Sequence, residues 1–324
     1  MCIRDRVSLT IIVTLIGSIL LDSSSLNAEE KKSFAPLNLR LKTLGGKQVW
    51  SDVRIIQDWR IQRNVYTGHH RLLSPRNYRE AWGSREHCDQ IMDQQIQEHG
   101  LEPYTQTVVV LLHGILRARS SMDDMKHFLQ RFGHQVISVS YASSRESIDD
   151  HARSLRDVLD DHKEIDRIHV VAHSMGALVI RRYMKMFDEP RIKRIVMLGP
   201  PNHGSSLARM FEDNTIFQMF WGINGKEMAS NWKQYEPRLL TPNCEFGILA
   251  GDVSKQRIRN PLFDEPNDLV VTVNETLLGG ASDFRTVPII HTFLVNNIIT
   301  MKMTHRFLKD GYFETESARR RIAP

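Results

Sequence analysis

The stretch Arg167-Ile-His-Val-Val-Ala-His-Ser-Met-Gly176 decides the fold. Its apolar, β-branched first half predicts a short buried strand, and the residues that follow, from Ala177 to Phe187, favour a helix. Between them lies a tight five-residue turn centred on Ser174. Such a turn strains the serine backbone and leaves the hydroxyl exposed above the edge of a sheet. The turn requires small residues at its two ends, and Ala172 and Gly176 satisfy this requirement. We therefore predict that Ser174 is a nucleophile.

Length and composition favour one large α/β domain, or such a domain with an appendage. The chain has 324 residues, of which 41% are hydrophobic and 25% are charged. Its net charge of +5 is not gathered into a basic stripe with interleaved aromatic residues, so nucleic acid is not a predicted partner. The charge would attract an anionic membrane surface or an acidic wall polymer weakly, as a peripheral contact. We favour the simpler interpretation, an ordinary soluble surface with surplus lysine and arginine.

The N-terminus has the pattern of an export signal. Arg4 and Arg6 precede an apolar run from Val7 to Leu21, which is too short for a comfortable transmembrane helix. Small residues up to Ala28 offer a cleavage point. We expect a signal peptide at 1–28, a linker at 29–34 and an exported protein, periplasmic or secreted. An uncleaved membrane anchor is the alternative.

Three cysteines are present, and removal of a signal peptide would leave Cys88 and Cys244. In an exported protein the two could pair, or both could be free thiols, and the sequence does not choose between these states. Because no cysteine and histidine spacing suggests zinc, we predict no metal site.

The segment 35–105 predicts antiparallel strands followed by a helix. Residues 48–56 and 59–66 show partial alternation with aromatic residues, and a turn leads into a third short strand at 71–73. Ser84 is a plausible cap for a helix that runs to about Glu98 and stops at Gly100. We expect these strands to be the leading antiparallel strands of the main sheet.

From residue 106 to 313, strands and helices alternate. The helix that begins at Ser121 has Met122, Met125, Leu129 and Phe132 on one face, and Ser147 starts another with a capping pattern. Strict alternation predicts a mostly parallel sheet with helices on both faces, and ligands in such sheets bind at the carboxyl ends of the strands. Predicted strands span 107–112, 135–141, 192–198, 246–251 and 285–290, a closing helix spans 298–309, and a basic tail spans 314–324.

A serine nucleophile needs a base to take its proton and a carboxylate to orient that base. His291 lies immediately past the last predicted strand, whereas His305 lies inside the closing helix, so position favours His291. Two carboxylates compete. Asp252 directly follows its strand, and Asp268 lies in a loop before Leu-Val-Val. Position alone barely separates them.

Five short motifs together resemble the lipase and esterase branch of the α/β-hydrolase superfamily, in particular bacterial extracytoplasmic lipase-like hydrolases and relatives of lipid-remodelling enzymes. The resemblance covers about residues 106–313. It implies the α/β-hydrolase fold, Asp268 as the acid and His291 as the base. Ala172 departs from the glycine that is usual at the first position of the serine turn. The motifs are 172–176 (Ala-His-Ser-Met-Gly), 113–114 (His-Gly), 198–205 (Leu-Gly-Pro-Pro-Asn-His-Gly-Ser), 267–271 (Asn-Asp-Leu-Val-Val) and 291–294 (His-Thr-Phe-Leu).

In this fold, main-chain amides bind the oxyanion of the tetrahedral intermediate. One comes from the loop after the His-Gly strand and the other from the residue after the nucleophile, so we assign Ile115 and Met175. Each donor is worth about 3–4 kcal/mol of transition-state stabilisation. Gly114 allows close approach of a ligand. We expect His113 to be a structural hydrogen-bonding residue rather than a base.

Residues 206–243 interrupt the alternation and are rich in aromatic residues and methionine. We interpret them as a lid or an acyl-chain wall over the active edge, with ordinary packing of a helical excursion as the alternative. The candidate substrate-contacting residues are Phe217, Phe220 and Trp221.

These features predict a serine carboxylester hydrolase that acts on a small-molecule or lipid acyl ester and needs no cofactor. Acyl transfer or thioester cleavage by the same triad is an alternative within enzymes. A catalytically silent binding protein with the same fold is the alternative from another class.

Overall fold

The structure, a computed structural model, describes residues 40–46, 48–207, 232–256, 260 and 262–324. The predicted signal peptide and linker, most of the predicted lid, and the candidate residues Phe217, Phe220 and Trp221 lie outside these ranges. Within the described ranges, every helix is too short or too polar to cross a membrane.

The first described strands form a five-stranded antiparallel sheet. Their antiparallel pairing agrees with the prediction, but they form a sheet of their own instead of leading the parallel sheet. Helix α1 (Arg85–His99) packs on this sheet, capped by Ser84 and ended by Gly100, as predicted. In spatial order, the strands are β1 (Leu41–Lys42), β5 (Tyr78–Gly83), β4 (His70–Leu73), β3 (Trp59–Asn64) and β2 (Trp50–Ile56).

The second sheet has six strands, and all its neighbouring pairs are parallel. Val108 and Val110 of its β6 pack into one buried cluster, and Val109 and Leu111 pack into another. The sheet is therefore buried on both faces, as predicted for a parallel sheet. In spatial order, the strands are β11 (Asp283–Val287), β10 (Glu245–Gly251), β9 (Ile192–Leu198), β8 (Ile165–His173), β6 (Gln106–Leu112) and β7 (Gln135–Val139).

Helices cover both faces of the parallel sheet. Apolar residues of α3 and α4 belong to the first cluster, and those of α2 and α7 belong to the second. The predicted inward position of Phe132 is wrong, because α2 ends one residue earlier and the ring is 55% exposed, stacked on His305. The helices are α2 (Asp123–Arg131), α3 (Ile148–Asp160), α4 (Met175–Met186), α5 (Trp232–Tyr235), α6 (Val273–Thr276) and α7 (Ile298–Asp310).

The residues predicted as a basic tail pack along the edge strand β11. The Phe284 amide donates to the Arg320 carbonyl at 2.9 Å, and the Ile322 amide donates to the Ala281 carbonyl at 3.0 Å. This segment therefore extends the hydrogen bonding of the parallel sheet beyond its last strand.

The two cysteines in the described ranges are free thiols. Cys88 is buried between α1 and the antiparallel sheet, and Cys244 is half-buried just before β10. The two cysteines belong to separate parts of the core. The sequence left open whether they pair or stay free, and in the structure both are free.

Several contacts join the antiparallel sheet to the rest of the molecule, and those of Asp52 and Asp58 are among them. The Asp52 amide of β2 donates to the Ser140 carbonyl at 2.8 Å, just beyond β7. Asp58, in the turn between β2 and β3, accepts from Arg119 at 2.8 Å and from Lys126 of α2 at 2.5 Å. Burial alone would raise the pKa of Asp58, but the two cations outweigh burial and lower that pKa below its ordinary value.

We predict that Asp58→Asn lowers the free energy of unfolding at pH 7 by about 1–2 kcal/mol, because two charge-assisted hydrogen bonds lose their charge. Because the folded-state pKa is lowered, the stabilisation exists above the unfolded-state pKa of about 3.9 and is lost as the pH falls. Variant and wild type should therefore converge in acid. Urea unfolding at several pH values measures this.

Asp160→Asn is the matched control, since its partner Arg156 and its own side chain are more exposed. That change should cost less than about 0.5 kcal/mol. Equal losses for the two variants at pH 7 would contradict the role assigned to Asp58.

Candidate active site

The turn between β8 and α4 holds Ser174 in a strained backbone conformation. Its φ is 53° and its ψ is −125°, a region that non-glycine residues rarely occupy. The Ser174 amide donates to the Leu198 carbonyl of β9 at 2.9 Å, which ties the turn to the sheet. A Cβ atom on Gly176 would lie 2.6 Å from the Leu112 carbonyl oxygen. The small residue expected at this position is therefore needed for the helix to approach the end of β6.

An imidazole and a carboxylate meet at the same edge of the sheet. His291 Nδ1 lies 2.6 Å from Asp268 Oδ2, and the His291 amide donates to the Asp268 carbonyl at 3.0 Å. The other carboxylate oxygen accepts from the amides of Val270 and Val271 at 3.0 and 2.7 Å. Since Asp268 is fully buried, these three donors compensate the removal of its carboxylate from water.

The alternative acid, Asp252, and the alternative base, His305, have other hydrogen-bond partners. Asp252 accepts from the amide and the hydroxyl of Ser254, as a turn-forming aspartate does. His305 lies on α7, where its ring contacts His134 at 3.1 Å between nitrogens. Of the candidates that the sequence left open, the structure brings together Asp268 and His291.

Ser174 and His291 line one cavity of about 310 Å³. Nδ1 of His291 is hydrogen-bonded to Asp268, so Nε2 is the ring nitrogen that can bond to a group in the cavity. Much of the remaining lining is apolar, from Ile115, Leu116, Pro201, Val270 and Val271. In the part of the chain that the structure describes, no three histidine, cysteine or acidic side chains are grouped so as to hold a metal ion.

The two predicted oxyanion donors come from different parts of the chain. Ile115 lines the cavity, and Met175 is the first residue of α4. The amide of a first helical residue has no acceptor within its helix, and the helix dipole favours negative charge there. Neither amide donates to any acceptor among the described residues. Both N–H groups are thus available to a ligand oxygen.

His113 orients the peptide that carries one of these amides. Burial lowers the pKa of His113 to about 4, so the ring is neutral. Its Nε2 accepts from the Tyr141 amide at 3.3 Å, so Nδ1 carries the proton and donates to the Gly114 carbonyl at 2.8 Å. That carbonyl shares a trans peptide with the Ile115 amide, which must point the opposite way. The buried Tyr141 hydroxyl in turn donates to the His113 carbonyl.

Sequence reasoning missed a further histidine in the site. His173 Nε2 donates to the main-chain carbonyl of His291 at 3.1 Å, and the two ring centroids are 4.8 Å apart. Burial and the nearby His291 hold the pKa of His173 well below its ordinary value, so this ring is neutral. His173 therefore fixes the backbone of His291 without adding charge. Its position before the serine is the only signal in the sequence.

Two glycines that sequence reasoning did not single out leave room for the acid and the base. Gly199 follows β9 with a φ of +55°, and a Cβ atom there would lie 3.0 Å from His291 Nδ1. Gly251 ends β10, and a Cβ atom there would lie 2.6 Å from Asp268 Cβ. A glycine after a strand is a common feature of loops, so these roles become visible only from the tertiary contacts.

The described residues at both ends of the predicted lid are bonded to the main domain. Ser205, directly before the predicted lid, lines the cavity, and the Ser206 amide donates to Glu275. The Tyr235 hydroxyl donates to Asp149 of α3 at 3.1 Å. Trp232, which the sequence placed in the lid, is buried in the main core. The prediction that the lid covers the cavity concerns residues between these ends, which lie outside the described ranges.

Comparisons with known proteins agree with this architecture. A family model described as a domain of unknown function (DUF7379) matches residues 71–228. A search of curated proteins finds no match. Among solved structures, the mature form of the Bacillus licheniformis lipase BlEst2 is similar, with a TM-score of 0.52 and 17% identity over 64% of this chain and 93% of that chain. Its propeptide form gives a TM-score of 0.50 and 17% identity, over 67% and 53% of the two chains.

At 17% identity, the similarity to these two structures is evidence for the fold alone. Together with the parallel sheet, the flanking helices and the strained serine turn, it confirms that the chain has the α/β-hydrolase fold. The predicted fold class is correct, with an additional antiparallel sheet at its start.

We predict that Gly199→Ala displaces the His291 ring and weakens its hydrogen bond to Asp268, because the new methyl group would crowd Nδ1. The free energy of unfolding should fall by about 2–3 kcal/mol, the sum of backbone strain and overpacking. The far-downfield proton signal expected from this short hydrogen bond should weaken or vanish in the NMR spectrum.

Gly68→Ala is the control variant, because it adds backbone strain without a new steric contact. Gly68 has a φ of +71°, but a Cβ atom there would meet nothing within 4 Å. It should cost only about 1 kcal/mol and leave the His291 signal intact. A Gly199→Ala protein with an unchanged signal would refute the proposed crowding.

Proposed function

We propose that the protein is a serine carboxylester hydrolase that cleaves lipid-like or other acyl esters. The observation that carries the proposal is the 2.6 Å contact between His291 and Asp268 in the cavity that also holds the strained Ser174. A nucleophile, a base with its orienting carboxylate and two free main-chain donors are the groups that acyl transfer to water requires.

In the first half of the reaction, Ser174 Oγ attacks the acyl carbonyl carbon while its proton moves to His291 Nε2. Asp268 keeps the Nδ1 proton in place and stabilises the imidazolium that forms. The carbonyl oxygen becomes an oxyanion, which the amides of Ile115 and Met175 bind. His113 supports this step because it fixes the direction of the Ile115 amide.

In the second half, the carbon–oxygen bond to the alcohol breaks and the alcohol leaves with the proton from His291. Water then attacks the acyl-serine and gives its proton to His291. The second tetrahedral intermediate collapses, the carboxylic acid leaves, and Ser174 Oγ recovers its proton. No external cofactor takes part in these steps.

The lining of the cavity supports the proposed substrate class. Ile115, Leu116, Pro201, Val270 and Val271 offer apolar contacts on which an acyl chain would bury surface. The similar Bacillus licheniformis protein is described as a lipase, which supports the same class. We also propose that the protein is exported, because of its N-terminal charge and apolar pattern.

A fluorophosphonate probe should label the wild-type protein on Ser174 and should not label Ser174→Ala, because only an activated serine attacks phosphorus. Turnover of p-nitrophenyl esters should fall by at least about 10⁴-fold in the same variant. In-gel fluorescence and a chain-length series of esters measure both effects.

Ser205→Ala provides the control, since Ser205 lines the same cavity but lies outside the strained turn between β8 and α4. It should keep full labelling and turnover within about threefold of wild type. Equal labelling of wild type and Ser174→Ala would overturn the assignment, and a folded wild type without turnover on any acyl ester would favour a binding protein.

Asp268→Asn should lower kcat by about 10⁴-fold with little change in KM, because the amide favours the wrong imidazole tautomer. Asp252→Asn is the matched change at the other acid that the sequence offered, and its kcat should stay within about threefold of wild type. Ester hydrolysis under saturating substrate measures both variants. Comparable losses in the two would remove Asp268 from its assigned role.

A further inference from the structure

Large apolar side chains are exposed beside the mouth of the catalytic cavity. Leu116 is 40% exposed and also lines the cavity, and Phe293 is 52% exposed two residues after His291. Ile298 and Ile299 are 50% and 51% exposed in the first turn of α7. Burying such side chains is favourable, so their exposure marks a surface that another apolar body could cover.

These side chains come from two segments that meet at the mouth. Arg117 donates to the Thr292 hydroxyl at 3.1 Å, which joins the loop after β6 to the loop after the base. Arg117 and Thr292 both line the cavity. The Asn297 amide donates to the Phe293 carbonyl at 3.0 Å, so the first turn of α7 stays close to Phe293. We call Leu116, Phe293, Ile298 and Ile299 the rim patch.

Two exposed cations lie beside the rim patch, Arg117 next to Leu116 and Lys302 about one helical turn after Ile299. Arg117 and Lys302 are exposed, and Arg117 has no carboxylate partner among the described residues. The sequence contains no aspartate or glutamate from His113 to Met122, nor from Phe284 to Lys309. Apolar side chains beside cations are complementary to a surface that has negative headgroups over hydrocarbon.

We propose that the rim patch docks the mouth of the cavity on an anionic phospholipid surface. The apolar side chains enter the boundary between headgroups and acyl chains, while Arg117 and Lys302 contact the lipid phosphates. Each contribution is weak alone, and together they orient the cavity toward the lipid. The proposal rests on the proposed function only in that the ester would enter through this mouth.

A fluorophore at one position of the rim patch tests the docking without reference to turnover. In full-length protein carrying Cys2→Ser, Ile299→Cys is labelled with the environment-sensitive dye NBD. Burial raises the pKa of Cys88 to about 12 and that of Cys244 to about 11, so both native thiols react slowly at neutral pH. Leu41→Cys is the control label, because Leu41 is equally exposed, at 50%, and lies on β1, an edge strand of the antiparallel sheet.

With vesicles of phosphatidylcholine and phosphatidylglycerol at 7:3, the label at position 299 should shift to shorter wavelength and gain about twofold or more in intensity. Pure phosphatidylcholine should give a smaller change, and 0.5 M salt should reduce the response. The label at position 41 should not respond. Equal responses at the two positions, or none at 299, would overturn the proposal.

Ile298→Asn with Ile299→Asn provides a second measurement. Partition into the same vesicles should fall about tenfold or more, whereas turnover of a soluble monomeric ester and the melting temperature should not change. A dye response that depends on protein concentration without vesicles would mean that a second copy covers the rim patch, and would overturn the proposal. A vesicle response in a protein that hydrolyses no ester would remove the proposed function and leave the docking intact.

Discussion

The close approach of α4 to the ends of β6 and β8 is the constraint on which the site depends. The helix can begin directly after the strand only if Ser174 accepts a strained backbone and Gly176 lacks a side chain. The amide of Ser174 is held by Leu198, and the flanking strand is buried, so the surrounding sheet maintains the strain. The same geometry places Ser174 in the lining of the cavity and makes Met175 the first residue of α4, where its amide has no acceptor within the helix. One turn would therefore supply both the proposed nucleophile and one proposed oxyanion donor.

The remaining groups reach this turn because the strands are parallel. Their carboxyl ends lie at one edge, so loops that are far apart in the sequence meet there. Gly199 and Gly251 leave space for His291 and Asp268 to come within hydrogen-bond distance. Two buried histidines, His113 and His173, stay neutral at physiological pH because burial lowers their pKa values. They hold carbonyl groups in place without placing positive charge beside the base.

The sequence predicted those features that arise from local pattern. The strand and helix alternation, the caps at Ser84 and Ser147, and the serine turn all follow from nearest neighbours along the chain. The choice between Asp252 and Asp268 could not be made this way, because it depends on which carboxylate contacts the ring of His291, 23 residues after Asp268. That contact arises only when separate loops pack together.

The separate antiparallel sheet escaped prediction for a similar reason. Alternation in the first strands indicates pairing, but it does not indicate which sheet they join. The sheet that they join depends on tertiary contacts, among them those of Asp52 with Ser140 and the ion pairs of Asp58. The exposed position of Phe132 was also hidden, because the end of α2 lies one residue before it. Helical periodicity likewise does not reveal that the rim patch is exposed, because this exposure depends on how the whole surface is assembled.

The central claim is that Ser174, His291 and the amides of Ile115 and Met175 act on one carbonyl. A crystal structure of the protein after reaction with a diethyl phosphonate ester tests this directly. The account predicts a covalent bond from phosphorus to Ser174 Oγ, with the phosphoryl oxygen about 2.7–3.1 Å from both amide nitrogens. An adduct on another residue, or a phosphoryl oxygen turned away from both amides, would contradict it.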